Sequence, residues 1–344
     1  MKVKSKAHLE ATTRKFLLRL FFSKLTFLLA ALIRGKFLLR FMRLFRNFRI
    51  YKILLEVYDP NQIRKRIRIH FKEKIILANL GNIPGKYFLD LNDHLPYRAY
   101  MTNSGDPIII EVGKIIGLSS RDIFLDVGAN IGLICIPVGL YFNCEIIAIE
   151  AMKRNAAKLL INSSMNNTKI KLHTVCVGDK ETVKSNPWAR IYSRSGNSGA
   201  ASLFRDWNPS LSGKLDDAGE FVRSATIDTL INQEEIRRIG LIKIDIEGSE
   251  EAALNGFTNL QYVNAPIIFE YRVDLVEKYL NLKIEGLVTL LREHFVLYSI
   301  KIVKNHLILQ EFDKLKSQEH AIAIPKLNHD YFRLKFYNHA NSSF

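Results

Sequence analysis

Three charged residues occupy alternate positions of the segment GLIKIDIEGSE, residues 240–250: Lys243, Asp245 and Glu247. Side chains of a β-strand alternate with period two, so these three share one face and the isoleucines between them fill the other. A carboxylate placed there can take the proton of a substrate hydroxyl while a new bond forms at its oxygen. An ammonium on the same face keeps such a carboxylate ionised or orients it. We therefore predict that these three residues are catalytic, and the spacing leaves open which carboxylate is the base.

The competing interpretation is an ion pair that only stabilises the fold. Lys243 would then pair with Asp245 or Glu247, and the acids would cap a helix that begins near residue 249. Glu250 and Glu251 fit that helix start, since acids in a first helical turn are stabilised by the helix dipole. Asp245 and Glu247 would also suit a divalent cation that bridges the substrate oxygen, but the local sequence offers no third oxygen ligand.

A second group of small and polar residues follows an apolar run in the segment LDVGANIG. Its members are Asp126, Gly128, Asn130 and Gly132. Glycine is needed where a ligand approaches the backbone, and the start of a helix supplies free N–H groups. A dinucleotide fingerprint requires glycine at the position of Asn130, so the pattern disfavours NAD and FAD. Asp126, at the end of the apolar run, favours a cofactor with a cationic amino-acid end, such as S-adenosylmethionine. Glu150 ends the next apolar run, where an acid can accept both ribose hydroxyls.

The elements that must position these groups alternate along the chain. Short apolar runs separated by helical segments occur at residues 122–128, 145–151, 170–179, 240–246 and 265–272. Such alternation predicts βαβ units, a parallel sheet and right-handed crossovers, with ligands at the carboxyl ends of the strands. The segments FVLYSIKIV and HAIAIPK near the C-terminus predict an antiparallel pair at the sheet edge.

Residues 180–219 interrupt this pattern, because they are rich in Ser, Gly, Asn and Pro. We predict a long loop there that contacts the substrate, and a disordered insertion is the alternative. Its aromatic residues Trp188, Tyr192 and Trp207 could stack on sugar faces or only pack.

Several blocks together resemble the FkbM-type methyltransferases, a family of Rossmann-like S-adenosylmethionine-dependent enzymes. They are FLDVGANIG, AIEAMKRNAAKLLINSSMNN, VCVGD, ATIDTLI, IGLIKIDIEGSEEAALNGF and APIIFEY, in the order of the family, between about Asp122 and Tyr271. The resemblance implies a seven-stranded, mostly parallel sheet with one antiparallel strand at its C-terminal end. It also implies methylation of a hydroxyl on a sugar, a glycan or a related small molecule.

The resemblance also implies roles for individual residues in cofactor binding. The loop residues Asp126, Gly128, Asn130 and Gly132 would contact the methionine side, Glu150 the ribose and Asp179 the adenine. The family often has Phe-Glu-Pro at the end of the second strand, whereas this chain has Ile149, Glu150 and Ala151. The acid is retained, so ribose binding is expected, and the turn that follows it is expected to differ.

The positive charge is concentrated at the N-terminus. Fifty Lys and Arg against 34 Asp and Glu give +16; residues 1–56 hold 14 − 2 = +12, which leaves +4 for the rest. An RNA 2′-O-methyltransferase is therefore disfavoured, and nucleic acid is not an expected partner. A non-catalytic, membrane-associated protein that retains the cofactor fold is the other alternative, and the intact glycine loop and acids argue against it.

Residues 14–51 have helical composition, rich in Leu, Phe and Arg. Their most apolar part, residues 20–33, contains Lys24 and is shorter than the roughly 20 apolar residues of a spanning helix. We expect a helix on an anionic membrane surface; a single N-terminal anchor and an arm on a partner subunit are the alternatives.

The three cysteines show no disulfide or zinc spacing and favour a reducing compartment. We thus predict a cytoplasmic, peripherally membrane-associated protein. It would consist of a basic helical extension (1–56), a lead-in segment (57–121), a methyltransferase domain (122–327) and a C-terminal tail (328–344).

Overall fold

A computed structural model describes residues 75–205, 214–216, 218–233, 238–258, 264–271, 285–303, 306–312 and 319–341. The predicted helical extension, including residues 14–51, and Trp207 lie outside these ranges. The chain divides into two compact units, residues 1–78 with 89–104 and residues 79–88 with 105–344. No helix of the described ranges has the length and apolar character needed to cross a bilayer.

Helices and strands follow each other closely in the described residues. The first half contains β1 (Ile75–Leu80), β2 (Ile83–Asp90), α1 (His94–Thr102), α2 (Ile108–Ile116), β3 (Ile123–Val127), α3 (Cys135–Phe142), β4 (Glu145–Ile149), α4 (Lys153–Asn166), β5 (Ile170–His173), β6 (Cys176–Val177), α5 (Lys180–Ser185), β7 (Trp188–Arg194) and β8 (Asn197–Ser202). The second half contains β9 (Glu220–Ala225), α6 (Ile227–Gln233), β10 (Ile239–Ile244), α7 (Glu250–Asn255), β11 (Ile267–Tyr271), α8 (Glu285–His294), β12 (Phe295–Val303), β13 (His306–Glu311), β14 (Glu319–Pro325) and α9 (His329–Asn341).

The main sheet confirms the predicted Rossmann-like α/β class. Its order is β13-β12-β14-β11-β10-β3-β4-β5, and β11, β10, β3, β4 and β5 pair in parallel. β14 is antiparallel to both β11 and β12. Apart from Asp126 and Lys243, the residues of β3 and β10 are apolar or glycine, as expected for parallel strands that are buried on both faces.

The C-terminal edge of this sheet differs from the prediction in two ways. The sheet has eight strands instead of seven, because residues 306–311 form an antiparallel hairpin with β12, from Tyr298 opposite Glu311 to Val303 opposite His306. The strand HAIAIPK does not lie at the edge, since β14 is inserted between β11 and β12. Its residues 321–324 are fully buried there, as their apolar side chains require.

The segment predicted as one long loop is folded in part into a second sheet. β7 and β8 form a hairpin, and the order of the four-stranded sheet is β6-β9-β7-β8. Ile191 and Val222 on its inner side are buried with Met152 and Cys176. The loop prediction is therefore wrong for residues 180–185, which form α5, and for residues 188–202, while residues 206–213 lie outside the described ranges. The predicted third strand is also divided, since β5 belongs to the main sheet and β6 to the second one.

Candidate active site

Lys243 lies at the centre of the charged group. In the parallel pairing of β10 with β3 it is opposite Asp126, and both side chains are buried. Its Nζ is 3.3 Å from Asp126 Oδ1 and 3.5 Å from Asp245 Oδ2, and it donates a hydrogen bond of 2.9 Å to the Gly128 carbonyl. The predicted ion pair within one strand is thus extended across two strands, because strand register brings Asp126 beside Lys243.

Charge and burial act in opposite directions in this group. Burial would lower the pKa of Lys243, but the attraction of Asp126 and Asp245 outweighs it and raises that pKa. Burial raises the pKa of the Asp126 carboxyl, and the ammonium of Lys243 opposes the shift. Lys243 is therefore a protonated, buried cation held between two carboxylates.

Asp245 is the member of the group that solvent reaches. Its side chain is 34 % exposed, directly after the last residue of β10. Its backbone N–H donates a hydrogen bond of 3.0 Å to the Val127 carbonyl, which joins it to the end of β3. The carboxyl ends of parallel strands are where open α/β sheets bind ligands. Asp245 is thus an accessible carboxylate at that edge.

Position 128 requires glycine because the backbone of Asp245 packs closely against it. The φ of Gly128 is +86°, and a Cβ added to it would lie 1.9 Å from the Asp245 carbonyl oxygen. The sequence predicts glycine here so that a ligand can approach the backbone. In the structure, the backbone of Asp245 already occupies the space where a Cβ of residue 128 would lie. Gly132 has the same φ, and its Cβ would lie 2.6 Å from Ile136 Cδ1. Both glycines therefore have a packing reason that is independent of any cofactor.

The loop after Asp245 is held in an unusual conformation. Glu247 has a left-handed backbone with φ 54°, and its carbonyl accepts a hydrogen bond of 2.9 Å from Ser202 Oγ of β8. The Glu250 carboxylate accepts hydrogen bonds from Ile246 N at 3.0 Å and Gly248 N at 3.1 Å. Burial raises the pKa of Glu250 to about 7. Glu250 is the first residue of α7, as predicted, and it also shapes the predicted catalytic loop.

Glu150 joins the glycine loop to the turn after β4. Its Oε2 accepts a hydrogen bond of 2.8 Å from Asn130 N, and its Oε1 accepts from Met152 N at 2.8 Å and Asn155 Nδ2 at 3.3 Å. Burial raises the pKa of Glu150 to about 7. The role of Glu150 as ribose ligand stays a prediction; in the structure its carboxylate positions the loop that would hold the cofactor.

Asn155 is a residue that the sequence analysis missed. It is buried, and its Nδ2 donates both to Glu150 Oε1 and to the Ser198 carbonyl of β8, each at 3.3 Å. The spacing E-x-x-x-x-N was the available signal, since it places Asn155 in the first turn of the helix after Glu150.

Asp179 contacts the start of α5 and not the charged group around Lys243. Its Oδ1 accepts a hydrogen bond of 2.8 Å from Thr182 N at the start of α5, which lowers its pKa. This is the behaviour of a helix N-cap. The role in adenine binding stays a prediction.

A metal ion gains no support at Asp245 and Glu247. Across the described ranges, no three His, Cys, Asp or Glu side chains come together in a group that could hold one.

The residues of the glycine loop fit S-adenosylmethionine. Asn130 has a left-handed backbone with φ 51°, and within the described residues its Oδ1 is buried without a hydrogen-bond partner. A buried acceptor of this kind requires a donor, and the amino-acid end of the cofactor carries an ammonium group. Gly128, Asn130 and Gly132 would hold that end, and Glu150 would hold the ribose.

The similarities to solved structures are of low sequence identity and low TM-score. A precorrin-6y C5,15-methyltransferase from Geobacter metallireducens GS-15 is 10 % identical, with a TM-score of 0.36, and the match covers 65 % of this chain and 90 % of that one. M. jannaschii TYW2 in complex with AdoMet is 12 % identical, with a TM-score of 0.33 and coverage of 74 % and 85 %. An RNA methyltransferase from Salinibacter ruber in complex with S-adenosyl-L-homocysteine is 11 % identical, with a TM-score of 0.27 and coverage of 48 % and 76 %. Similarities of this size carry no information on activity or substrate.

A family model matches the central part of the sequence. No curated protein sequence matches the chain. The model of the methyltransferase FkbM domain matches residues 126–293, which run from the buried acid of β3 to the last turn of α8 and include Lys243, Asp245 and Glu247. Residues 126–293 are therefore an S-adenosylmethionine-dependent methyltransferase domain that is similar to the FkbM domain.

Proposed function

We propose that this protein methylates a hydroxyl group of a sugar, a glycan or a related small molecule, with Asp245 as the base. The observation that carries the proposal is the half-exposed carboxylate of Asp245, 3.5 Å from the buried ammonium of Lys243 and in contact through its backbone with the glycine loop. An accessible carboxylate beside a cofactor loop is the group that a hydroxyl acceptor needs.

The buried cation Lys243 lies between the proposed base and a second acid, Asp126. S-adenosylmethionine, when bound, supplies a methyl group on a sulfonium centre. Lys243 Nζ lies 3.5 Å from Asp245 Oδ2 and so holds the Asp245 side chain at the edge of the sheet. When Asp245 takes the hydroxyl proton, Lys243 keeps Asp126 as counter-ion at 3.3 Å. The buried ammonium is therefore never left unpaired, which would be costly.

The same contacts favour Asp245 over Glu247 as the base. Asp245 has the ion pair with Lys243, whereas the position of Glu247 is fixed by its carbonyl and its left-handed backbone. We assign to Glu247 the shaping of the crevice wall, and to Asp245 the proton transfer.

The proposal predicts a separation of turnover from cofactor binding. Asp245→Asn should lower turnover about 10²-fold, the usual size of a general-base effect, and leave the affinity for S-adenosylhomocysteine within a few-fold. Labelled methyl transfer to glycan, lipid, small-molecule and RNA fractions would measure turnover, and calorimetry would measure binding.

Two variants serve as controls for this experiment. Asp330→Asn changes a fully exposed carboxylate of α9 and should have no effect. Glu247→Gln should lower turnover less than Asp245→Asn does. Near-normal turnover of Asp245→Asn would refute the assignment of the base, labelling of RNA alone would refute the acceptor class, and failure to bind S-adenosylhomocysteine would favour a non-catalytic protein.

A further inference from the structure

The strand pair β7 and β9 presents two aromatic rings and two guanidinium groups on one side of the second sheet. Trp188 is opposite Arg223, and Arg190 is opposite Phe221. Directly opposed residues of antiparallel strands point to the same side of a sheet. We call these four side chains the outer face.

The outer face is exposed, although its rings are apolar. Trp188 is 55 % exposed and Phe221 53 %. The alternate residues Ile191 and Val222 are buried and pack into the domain, so the sheet needs only its inner side for stability. A contiguous exposed group of large apolar side chains is characteristic of a binding surface.

Among the described residues, no acid forms an ion pair with the cations of the outer face. The Arg190 guanidinium lies over the Phe221 ring, 4.5 Å from its centroid, and Arg223 forms no ion pair with any described residue. β7 and β9 contain one acid, Glu220, which is opposite Ile191 of the inner side and is 3.5 Å from Lys153 Nζ. Two positive charges, which have no carboxylate partner among the described residues, are thus interleaved with two rings.

We propose that the outer face binds an anionic glycan chain, which is the acceptor. The apolar C–H faces of sugar rings would pack on Trp188 and Phe221, and carboxylate, sulfate or phosphate groups would pair with Arg190 and Arg223. Along each strand, a ring and a cation are about 7 Å apart, and between the two strands the spacing is about 5 Å. This flat arrangement suits an extended glycan chain.

A glycan is favoured over single-stranded RNA, although bases also stack on aromatic side chains. Residues 57–344 carry a net charge of only +4 (16 − 12), which is weak for a polyphosphate chain whose affinity comes from neutralised phosphates. The inference rests on the proposed function, because it names the class of acceptor for the same enzyme.

The sheet that carries the outer face is attached to the active site. Ser202 of β8 donates to the Glu247 carbonyl, and the Ser198 carbonyl accepts from Asn155, which also donates to Glu150. The glycan-binding strands and the predicted catalytic loops therefore belong to one hydrogen-bonded framework.

Binding of a galacturonic acid hexamer to the full chain, measured by calorimetry at low salt without cofactor, tests the inference. Trp188→Ala and Arg223→Gln should each weaken binding about tenfold, the size expected for a lost stacking contact or charged hydrogen bond. Tyr337→Ala and Arg121→Gln remove an exposed ring and an exposed guanidinium elsewhere, and should change the affinity less than about twofold. The methyl-esterified hexamer, which is the same chain without charge, should bind about tenfold more weakly.

Several results would overturn the inference. They are absence of hexamer binding, equal binding of the esterified hexamer, equal losses in the control variants, and tighter binding of an oligouridylate than of the hexamer. Because this assay uses neither S-adenosylmethionine nor turnover, its failure is distinct from failure of the proposed function, which is tested by methyl transfer in Asp245→Asn.

Discussion

At Gly128, the packing of the neighbouring backbone, and not a bound ligand, determines that the residue must be glycine. Its positive φ and the Asp245 carbonyl together exclude a Cβ. Gly128→Ala should therefore lower the free energy of unfolding by about 2–4 kcal/mol, and it should also weaken S-adenosylhomocysteine binding, because the loop must move away from Asp245. Urea denaturation and calorimetry would measure the two effects.

Gly178 provides the matched control for this prediction. An added Cβ would find its nearest neighbour, Val183 Cγ2, at 3.6 Å, an ordinary contact distance. Gly178→Ala should change stability by about 0.5 kcal/mol or less. Equal effects of the two substitutions would contradict the steric explanation.

Glu150 should make stability depend on pH. Burial raises its pKa from 4.5 to about 7, so between these values the folded protein retains a proton that the unfolded chain has lost. The stabilisation of the folded state by protonated Glu150 is fully present below pH 4.5 and is lost as pH rises through about 7. The free energy of unfolding should fall by about 3 kcal/mol over this range. Glu250 should add a loss in the same window, since its pKa is raised to the same value.

Substitution separates the two carboxyl groups. Glu150→Gln should reduce the fall in unfolding free energy between pH 5 and pH 8 by about half, whatever its effect on absolute stability, because one of two titrating groups is removed. Glu181→Gln, at an exposed residue of α5, is the control and should leave the slope unchanged. Urea denaturation across this pH range would measure the slopes, and an unchanged slope in Glu150→Gln would contradict the burial effect.

At the scale of residues, the sequence locates the charged groups but not their partners. Asp126, Lys243 and Asp245 are recognisable as charges within apolar runs, and they do meet in the structure. That Lys243 pairs with Asp126 depends on the register of β10 against β3, which neither segment specifies alone. The contact of Ser202 with Glu247 spans 45 positions, so no local pattern reveals it.

At the scale of elements, β8 supports the loop that carries Glu247. Ser202→Ala removes one hydrogen bond worth about 1 kcal/mol, so the left-handed loop should lose its fixed position and turnover should fall about fivefold. Affinity for S-adenosylhomocysteine should stay unchanged. Labelled methyl transfer and calorimetry would measure the two properties.

Ser164 of α4 gives the comparison for Ser202. It is an exposed helical serine, and Ser164→Ala should leave turnover as it is. If Ser202→Ala were equally active, the hairpin would have no part in shaping the catalytic loop.

The accuracy of the predicted elements follows the strength of their local patterns. Strands β3, β4 and β12 were predictable because continuous apolar runs mark them. The hairpin of β7 and β8 was missed because NSGAAS has small residues that suggest a loop, and only its pairing with β7 makes it a strand. The extra strand β13 was missed for a related reason: an edge strand needs one partner, and its pattern is weak.

At the scale of the whole molecule, the charge is divided unevenly. Residues 1–56 carry +12 of the total +16. We propose that this extension binds an anionic membrane surface, since clustered cations with Leu and Phe favour binding at the interface. Deleting residues 1–56 should therefore release the protein from phosphatidylserine-containing vesicles in co-sedimentation.

The vesicle experiment has an internal control. Neutral phosphatidylcholine vesicles should retain much less of the full chain, because the attraction of the cations is absent. Equal sedimentation of the full and shortened chains with anionic vesicles would contradict the proposal and favour an arm that contacts a partner subunit.

β8 is hydrogen-bonded both to the Glu247 loop and, through Asn155, to Glu150, and this has a consequence for protein engineering. Changing the acceptor of this enzyme by transplanting the β7–β8 hairpin from a relative would replace Ser202 and the backbone around Ser198 together with the exposed ring of Trp188. A graft that ignores these two attachments would alter catalysis along with recognition. Recoding only the outward-facing positions of β7 and β9, while leaving β8 untouched, is the design that this architecture permits.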